Sequence, residues 1–365
     1  MSKLQELAEQ GQSIWLDYIS RSLIASGELR NLVEDGLRGV TSNPTIFEKA
    51  ITQSEDYDDT LQQLARAGKS TDEIYESLTF ADIQDAADVL RTVYERTEGI
   101  DGYVSLEVDP GLAHNTEETV SEAKRLTTSL NRSNLMIKVP ATAEGIPAIR
   151  TLIGAGINVN VTLMFSLAHY EAVSKAYIAG LEDLQRSGGD LGEVASVASF
   201  FVSRVDSAVD PMLEEQGAGF LLGRIAVANA KACYARFREI FGGTRWDRLA
   251  QQGARVQRPL WASTSTKNPN YPDTVYVDSL IGPHTVNTVP PKTLRAFRDH
   301  GTIGATVEAD LKGARAELKQ LGEAGIDFTQ VATKLQEDGV NAFAKSFASL
   351  LDSIDKKRRQ ALGTP

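Results

Sequence analysis

Short runs of apolar and β-branched residues recur eight times along this chain, set between longer stretches with helical periodicity. The runs are SIWLDYI (13–19), LRGVTS (37–42), YVSLEV (103–108), LMIKVP (135–140), INVNVTLMF (157–165), VASVASFFVS (194–203), PLWAST (259–264) and TVYVDSLI (274–281). Several are nearly continuous in apolar character, as strands buried on both faces should be. Strands that alternate with helices imply a parallel sheet with crossover connections. Eight is also the number that closes a (β/α)8 TIM barrel. A doubly wound open sheet is the structural rival, weakened because no G-x-G-x-x-G follows the first run.

The chain has 365 residues, more than one hydrophobic core usually supports, but α/β barrels often run this long as one domain. We therefore expect residues 1–365 to form one barrel domain, with a helical insertion at about 47–100 and C-terminal helices at about 305–357. The segment PPKTLRAFRDHG (290–301) reads as a helix with Pro near its start and Gly just past its end. VNAFAKSFASLLDSI (340–354) has an apolar stripe and is expected to pack over the barrel.

The formal net charge of −11 argues against nucleic-acid binding, which needs a clustered basic footprint. It leaves room for an anionic small substrate held by a few local cations. A single cysteine, Cys233, excludes an intramolecular disulfide and fits a reducing compartment. The opening MSKLQELAEQGQSIW lacks the pattern of a signal peptide, and no apolar run is long enough to span a membrane. The expectation is a cytoplasmic protein without a membrane partner, with monomer and homodimer both left open.

Barrel interiors favour Val, Ile and Leu, so polar residues in strands are informative. Asp17, Asn43, Glu107, Lys138, Asn160, Thr162, Ser199 and Arg204 lie in or just after the runs. In a barrel, residues at the C-terminal strand ends read as catalytic. Lys138 stands between Ile137 and Val139 and two residues before Pro140, which suits the end of a strand. It is either a solvent-facing lysine or a buried amine, and burial disfavours an ammonium and suits attack on a carbonyl. Glu107, between Leu106 and Val108, is either an ion-pair partner of Lys138 or a general acid/base. Asp17 has the same ambiguity, with Arg21 as its structural partner. Asn43 within TSNPT reads equally as turn chemistry. Asn160 and Thr162, two residues apart on a strand, should face one side. Arg204 and Lys267, the latter in the loop ASTSTKN, are candidate phosphate cations, since loops after late barrel strands often bind phosphate. His114, His169, His284 and His300 show no metal-ligand spacing, and no Walker A loop or G-x-S-x-G elbow occurs.

Five blocks resemble the transaldolase family: GVTSNPTIFEKAI (39–51), VSLEVDP (104–110), NLMIKVPAT (134–142), GINVNVTLMFS (156–166) and SFFVSRVD (199–206). They fall in order on successive predicted strands, and the length is similar to that of the longer bacterial subgroup. The resemblance implies a barrel with a Schiff-base lysine on the fourth strand, which is where Lys138 falls. It implies transfer of a dihydroxyacetone unit from sedoheptulose 7-phosphate to glyceraldehyde 3-phosphate, giving erythrose 4-phosphate and fructose 6-phosphate in the pentose phosphate pathway. By motif position, Glu107 would act as acid/base through a water held by Thr162, and Asp17 would take the hydroxyl proton whose loss breaks the carbon–carbon bond. Asn43 and Asn160 would bind the dihydroxyacetone part, Thr41, Ser105 and Ser199 would support the pocket, and Arg204 would bind phosphate. Lys267 stands where many members carry a second phosphate arginine. No cofactor and no metal are implied. Two rivals remain: a fructose 6-phosphate aldolase that releases dihydroxyacetone, disfavoured by Glu107, and a non-enzymatic sugar-phosphate sensor.

Overall fold

A computed structural model describes residues 1–363. Its eight strands are β1 (Gln12–Asp17), β2 (Gly39–Thr41), β3 (Tyr103–Glu107), β4 (Leu135–Pro140), β5 (Val159–Met164), β6 (Ser196–Phe201), β7 (Arg258–Ala262) and β8 (Thr285–Val289). All pair in parallel and in chain order, and β8 closes onto β1, so the sheet is a barrel and not an open doubly wound sheet.

One strand differs from the sequence reading. The run 274–281 contains a short helix, Val275–Asp278, and the eighth strand is Thr285–Val289. Tyr276, Val277, Leu280 and Ile281 are buried, a spacing that follows one helical face. A short apolar run does not by itself distinguish a buried helix from a buried strand. The true strand hides its character because Thr285, Asn287 and Thr288 are polar and yet buried.

Both ends of the barrel are built by side chains that alternate along the strands. On β1, Ser13, Trp15 and Asp17 share one face. Trp15 is fully buried, and Gly39 on β2 pairs with it in register. A Cβ at Gly39 would lie 2.6 Å from the indole, so the ring fits there only against glycine. The indole nitrogen donates to Asp101 (3.1 Å), which also accepts from the Ser13 hydroxyl (2.6 Å). Arg258 completes this floor, pairing with Asp101 (2.9 Å) and donating to Ser13 Oγ (2.6 Å) and to the Thr285 carbonyl (2.8 Å). The N-terminal end of the barrel is thereby sealed.

Between β2 and β3 the chain forms three helices, Pro44–Thr52, Asp58–Arg66 and Thr71–Arg96. Asn43 caps the first by accepting from Ile46 N (3.0 Å), with Pro44 at its first position. Ser70 and Glu73 form a reciprocal cap on the third. The Pro291–His300 helix follows β8 and ends at Gly301. The chain finishes with helices Leu311–Glu323 and Phe328–Ala361. The last packs on the Pro44–Thr52, Asp58–Arg66 and Thr71–Arg96 helices and on the end of β5. Its buried residues Gly339, Val340, Phe343, Leu350 and Ile354 form the stripe expected from sequence.

The floor pair yields a stability test. Asp101→Ala leaves the Arg258 guanidinium buried without its anion and should destabilise the fold by about 3–5 kcal/mol. Urea unfolding should show that loss, and the double variant Asp101→Ala/Arg258→Met should recover most of it. A double variant as weak as the single one would mean that the two residues are not coupled.

Candidate active site

The C-terminal ends of the strands deliver polar groups to one cavity of about 370 Å³. Its lining includes Asp17 from β1, Thr41 from β2, Lys138 from β4, Thr162 from β5, Ser199 from β6 and Thr288 from β8. Arg204, Lys267, Lys49 and Phe343 line the same space.

Lys138 is 5 % exposed, so it does not face solvent. Its Nζ donates to the Ser42 carbonyl (3.0 Å) and pairs with Glu107 Oε2 (3.3 Å). The pair follows from register, because Glu107 on β3 lies opposite Lys138 on β4. The ion-pair reading of Glu107 therefore holds geometrically. It does not leave the carboxyl ordinary: burial pushes the Glu107 pKa up, and the Lys138 charge only partly opposes this.

Asp17 does not pair with Arg21. That arginine binds Asp82 (3.2 Å) and stacks over Tyr57 at 4.5 Å. Asp17 instead accepts from the Thr41 hydroxyl (2.8 Å), and Thr41 is 2.6 Å from Thr288 Oγ1. Asp17 is partly open to the cavity, yet the protein around it desolvates the carboxyl and raises its pKa, against Lys138 and the Thr41 hydrogen bond. One carboxyl of raised pKa thus pairs with the amine and a second, also raised, feels its charge, an arrangement suited to moving protons.

Asn160 is fully buried, with Nδ2 donating to Ser105 Oγ (3.0 Å) and Oδ1 accepting from Ser199 Oγ (2.7 Å). Of these three, only Ser199 lines the cavity. Asn43 combines both sequence readings: its oxygen caps the Pro44–Thr52 helix while the residue lines the cavity. Thr162 is buried, and its hydroxyl oxygen has no partner among the described residues.

Arg204 lies in the first turn of the Ser203–Glu215 helix, its guanidinium 5.1 Å from the Phe201 ring and 5.9 Å from the Phe343 ring. Burial lowers its pKa, opposed by Asp17 and Glu107. Lys267 donates to Ser265 Oγ (2.7 Å), and its pKa is lowered by burial and then by Arg204 and Lys49. Besides Lys138, three cations therefore line a cavity of a protein whose net charge is −11. Such a concentration of positive charge suits a phosphorylated ligand.

Sequence reasoning misses Lys49, Thr288 and Tyr18 as cavity residues. Lys49 has a readable signal, since it lies one turn beyond Thr45 on the same helical face. Thr288 has none, because its strand carries too little apolar character to be recognised. Among the described residues no cluster of three or more His, Cys, Asp or Glu is arranged to hold a metal.

The coupling of Lys138 and Glu107 has a consequence for stability. A carboxyl whose folded pKa is raised contributes stability that is fully present below its unfolded value, about 4, and lost as pH rises through the folded value. Lys138 holds the Glu107 value down, so Lys138→Met should raise it further. The variant should then lose stability more steeply than wild type as pH rises above about 4, measured as urea midpoint against pH. Equal slopes would uncouple the two groups.

Comparison with known proteins places these features in context. The family model described as Transaldolase/Fructose-6-phosphate aldolase matches residues 14–354. A protein named Transaldolase from Thermobifida fusca (strain YX) is 51 % identical over 358 residues, covering 97 % of each chain. One of the same name from Parafrankia sp. (strain EAN1pec) is 50 % identical over 370 residues, covering 100 % of this chain and 99 % of its own. Another from Trichodesmium erythraeum (strain IMS101) is 46 % identical over 368 residues, covering 97 % of each.

Proposed function

The chain belongs to the transaldolase/fructose-6-phosphate aldolase family, and we propose that it is a transaldolase that moves a dihydroxyacetone unit between sugar phosphates through a Schiff base on Lys138. The observation that carries this reading is a buried amine paired with one carboxyl of raised pKa and within the field of a second, lining a cavity with three further cations. An amine in such a setting attacks a carbonyl, and cations bind the phosphate that the same substrate carries.

The mechanism assigns each group one task. The Lys138 amine, once it has given up its proton, adds to the ketose carbonyl carbon, and Glu107 shuttles the protons that expel water, acting through a water held by Thr162. The product is a protonated imine, an electron sink. Asp17 then takes the proton from the hydroxyl two carbons away. The carbon–carbon bond breaks, its electron pair moves into the imine, and the aldose leaves with an enamine remaining on Lys138. An incoming aldose accepts the enamine carbon, and Asp17 returns its proton to the new hydroxyl. Hydrolysis of the imine frees the ketose product. A cavity shielded from bulk water protects the enamine in the interval.

Asn43, Asn160, Thr41, Ser105 and Ser199 orient the three-carbon unit directly or through one another, a role supported by the Ser105–Asn160–Ser199 hydrogen bonds. Arg204 and Lys267 receive phosphate, Lys267 as a point charge without the arginine fork. The substrates are sedoheptulose 7-phosphate and glyceraldehyde 3-phosphate, in the cytoplasm.

Borohydride reduction with fructose 6-phosphate, followed by peptide mass spectrometry, should leave a dihydroxyacetone adduct on Lys138. Lys138→Ala should abolish transfer, and appreciable residual activity would remove Lys138 from the mechanism. Turnover should depend on an acceptor aldose; acceptor-independent release of dihydroxyacetone would favour the aldolase branch of the family.

Phosphate binding contributes mostly equally to ground and transition states. Lys267→Ala should therefore raise KM roughly tenfold with kcat changed far less. An unchanged KM would reject its phosphate role.

A further inference from the structure

The hydroxyl of Thr162 is buried, lines the cavity and has no partner among the described residues. Nothing bound to the oxygen itself sets its direction, so the backbone must. That backbone is unusual. Leu163, the next residue, has φ of 61°, and the β5–β6 register shifts between Val161 and Met164. A branched residue rarely adopts this left-handed conformation and keeps it only where its surroundings impose it.

The surroundings here are supplied by the C-terminal helix, Phe328–Ala361. The Gln336 amide nitrogen donates to the carbonyl of Leu163 (2.9 Å) and to that of Ala141, just past the end of β4 (2.9 Å). A primary amide has two hydrogens, and each is used once. Ala141 also ties back to the same place, its N–H donating to the Thr162 carbonyl (2.8 Å). The helix reaches this close because position 339 is glycine. A Cβ there would lie 2.8 Å from Leu163 Cδ2. Phe343, one turn further along the same face, lines the cavity with its ring 5.8 Å from Lys138 Nζ.

We infer that Gln336 is a positioning residue for the reaction: by tying the ends of β4 and β5 together it holds the left-handed turn at Leu163 and aims the Thr162 hydroxyl into the cavity beside Lys138. The catalytic consequence rests on the proposed role of Thr162 in holding the water used by Glu107. Gln336 lies outside every motif block and contacts no cavity group with its own polar atoms. It acts only through the two carbonyls it binds.

The test is a double-mutant cycle on the full chain, with kcat expressed per folded enzyme from circular dichroism. Gln336→Leu should lower kcat roughly tenfold, within the range of coupling between residues of one network, with KM for fructose 6-phosphate nearly unchanged. Gln336→Glu keeps the shape without the donors and should be equally slow. Gln336→Lys restores a donor and should recover most of the rate. In a Thr162→Val background, Gln336→Leu should cost nothing further. Losses that multiply in the double variant would overturn the inference, as would a fall in folded fraction with kcat per folded enzyme intact. An unchanged kcat in Thr162→Val alone would also overturn it, by removing the role of Thr162. That failure is distinguishable from failure of the Schiff-base reading, because borohydride would still trap the adduct on Lys138.

Discussion

A closed ring of eight parallel strands leaves its interior to side chains alone, and the rest of this protein follows from how that interior is filled. At one end Trp15 lies against the bare backbone of Gly39, and the Asp101–Arg258 pair with Ser13 closes the floor. Polar groups at the opposite end are desolvated by the barrel around them. This asymmetry is the physical cause of the raised Glu107 and Asp17 pKa values, since both shifts are led by burial. The same closure abolishes sheet edges, so a lysine in the middle of the ring has no solvent face to escape to.

The cavity reconciles two opposite charge demands. In the proposed reaction Lys138 needs carboxyls near it for proton transfer, and a phosphorylated ligand needs cations. Position along the cavity separates the two. Glu107 lies beside Lys138 through strand register, whereas Arg204, Lys267 and Lys49 come from helices and a loop beyond the strand ends. The net charge of −11 keeps the remaining surface acidic, which makes the cavity stand out electrostatically. The C-terminal helix joins this arrangement from above. Phe343 closes over Lys138 and Arg204, while Gln336 grips the strand ends.

Much of this is legible in the order of residues alone. The alternation of apolar runs with helical stretches implies the barrel, and isolated polar residues in those runs mark Lys138, Glu107, Asp17 and Thr162. Side-chain partners are not legible in the same way: Asp17 turns from Arg21 to Thr41, and Asn160 commits both ends of its amide to serines. The eighth strand is misplaced by its pattern, because TVYVDSLI carries β-branched residues on a helical face, while Thr285–Val289 is polar inside the barrel. Gln336 looks like an ordinary polar residue on an amphipathic helix, where most such residues simply face water.

The sequence by itself determined the fold class, the family and the order in which reactive residues reach the strand ends, because periodicity and motif spacing are local properties of the chain. Only the tertiary structure decided which of those residues meet, how dry each becomes and what aims them. Those are set by strand register, by closure of the ring and by a glutamine more than 170 residues away along the chain from the leucine whose carbonyl it binds. Contacts at that separation are fixed by packing in three dimensions, and no local pattern encodes them.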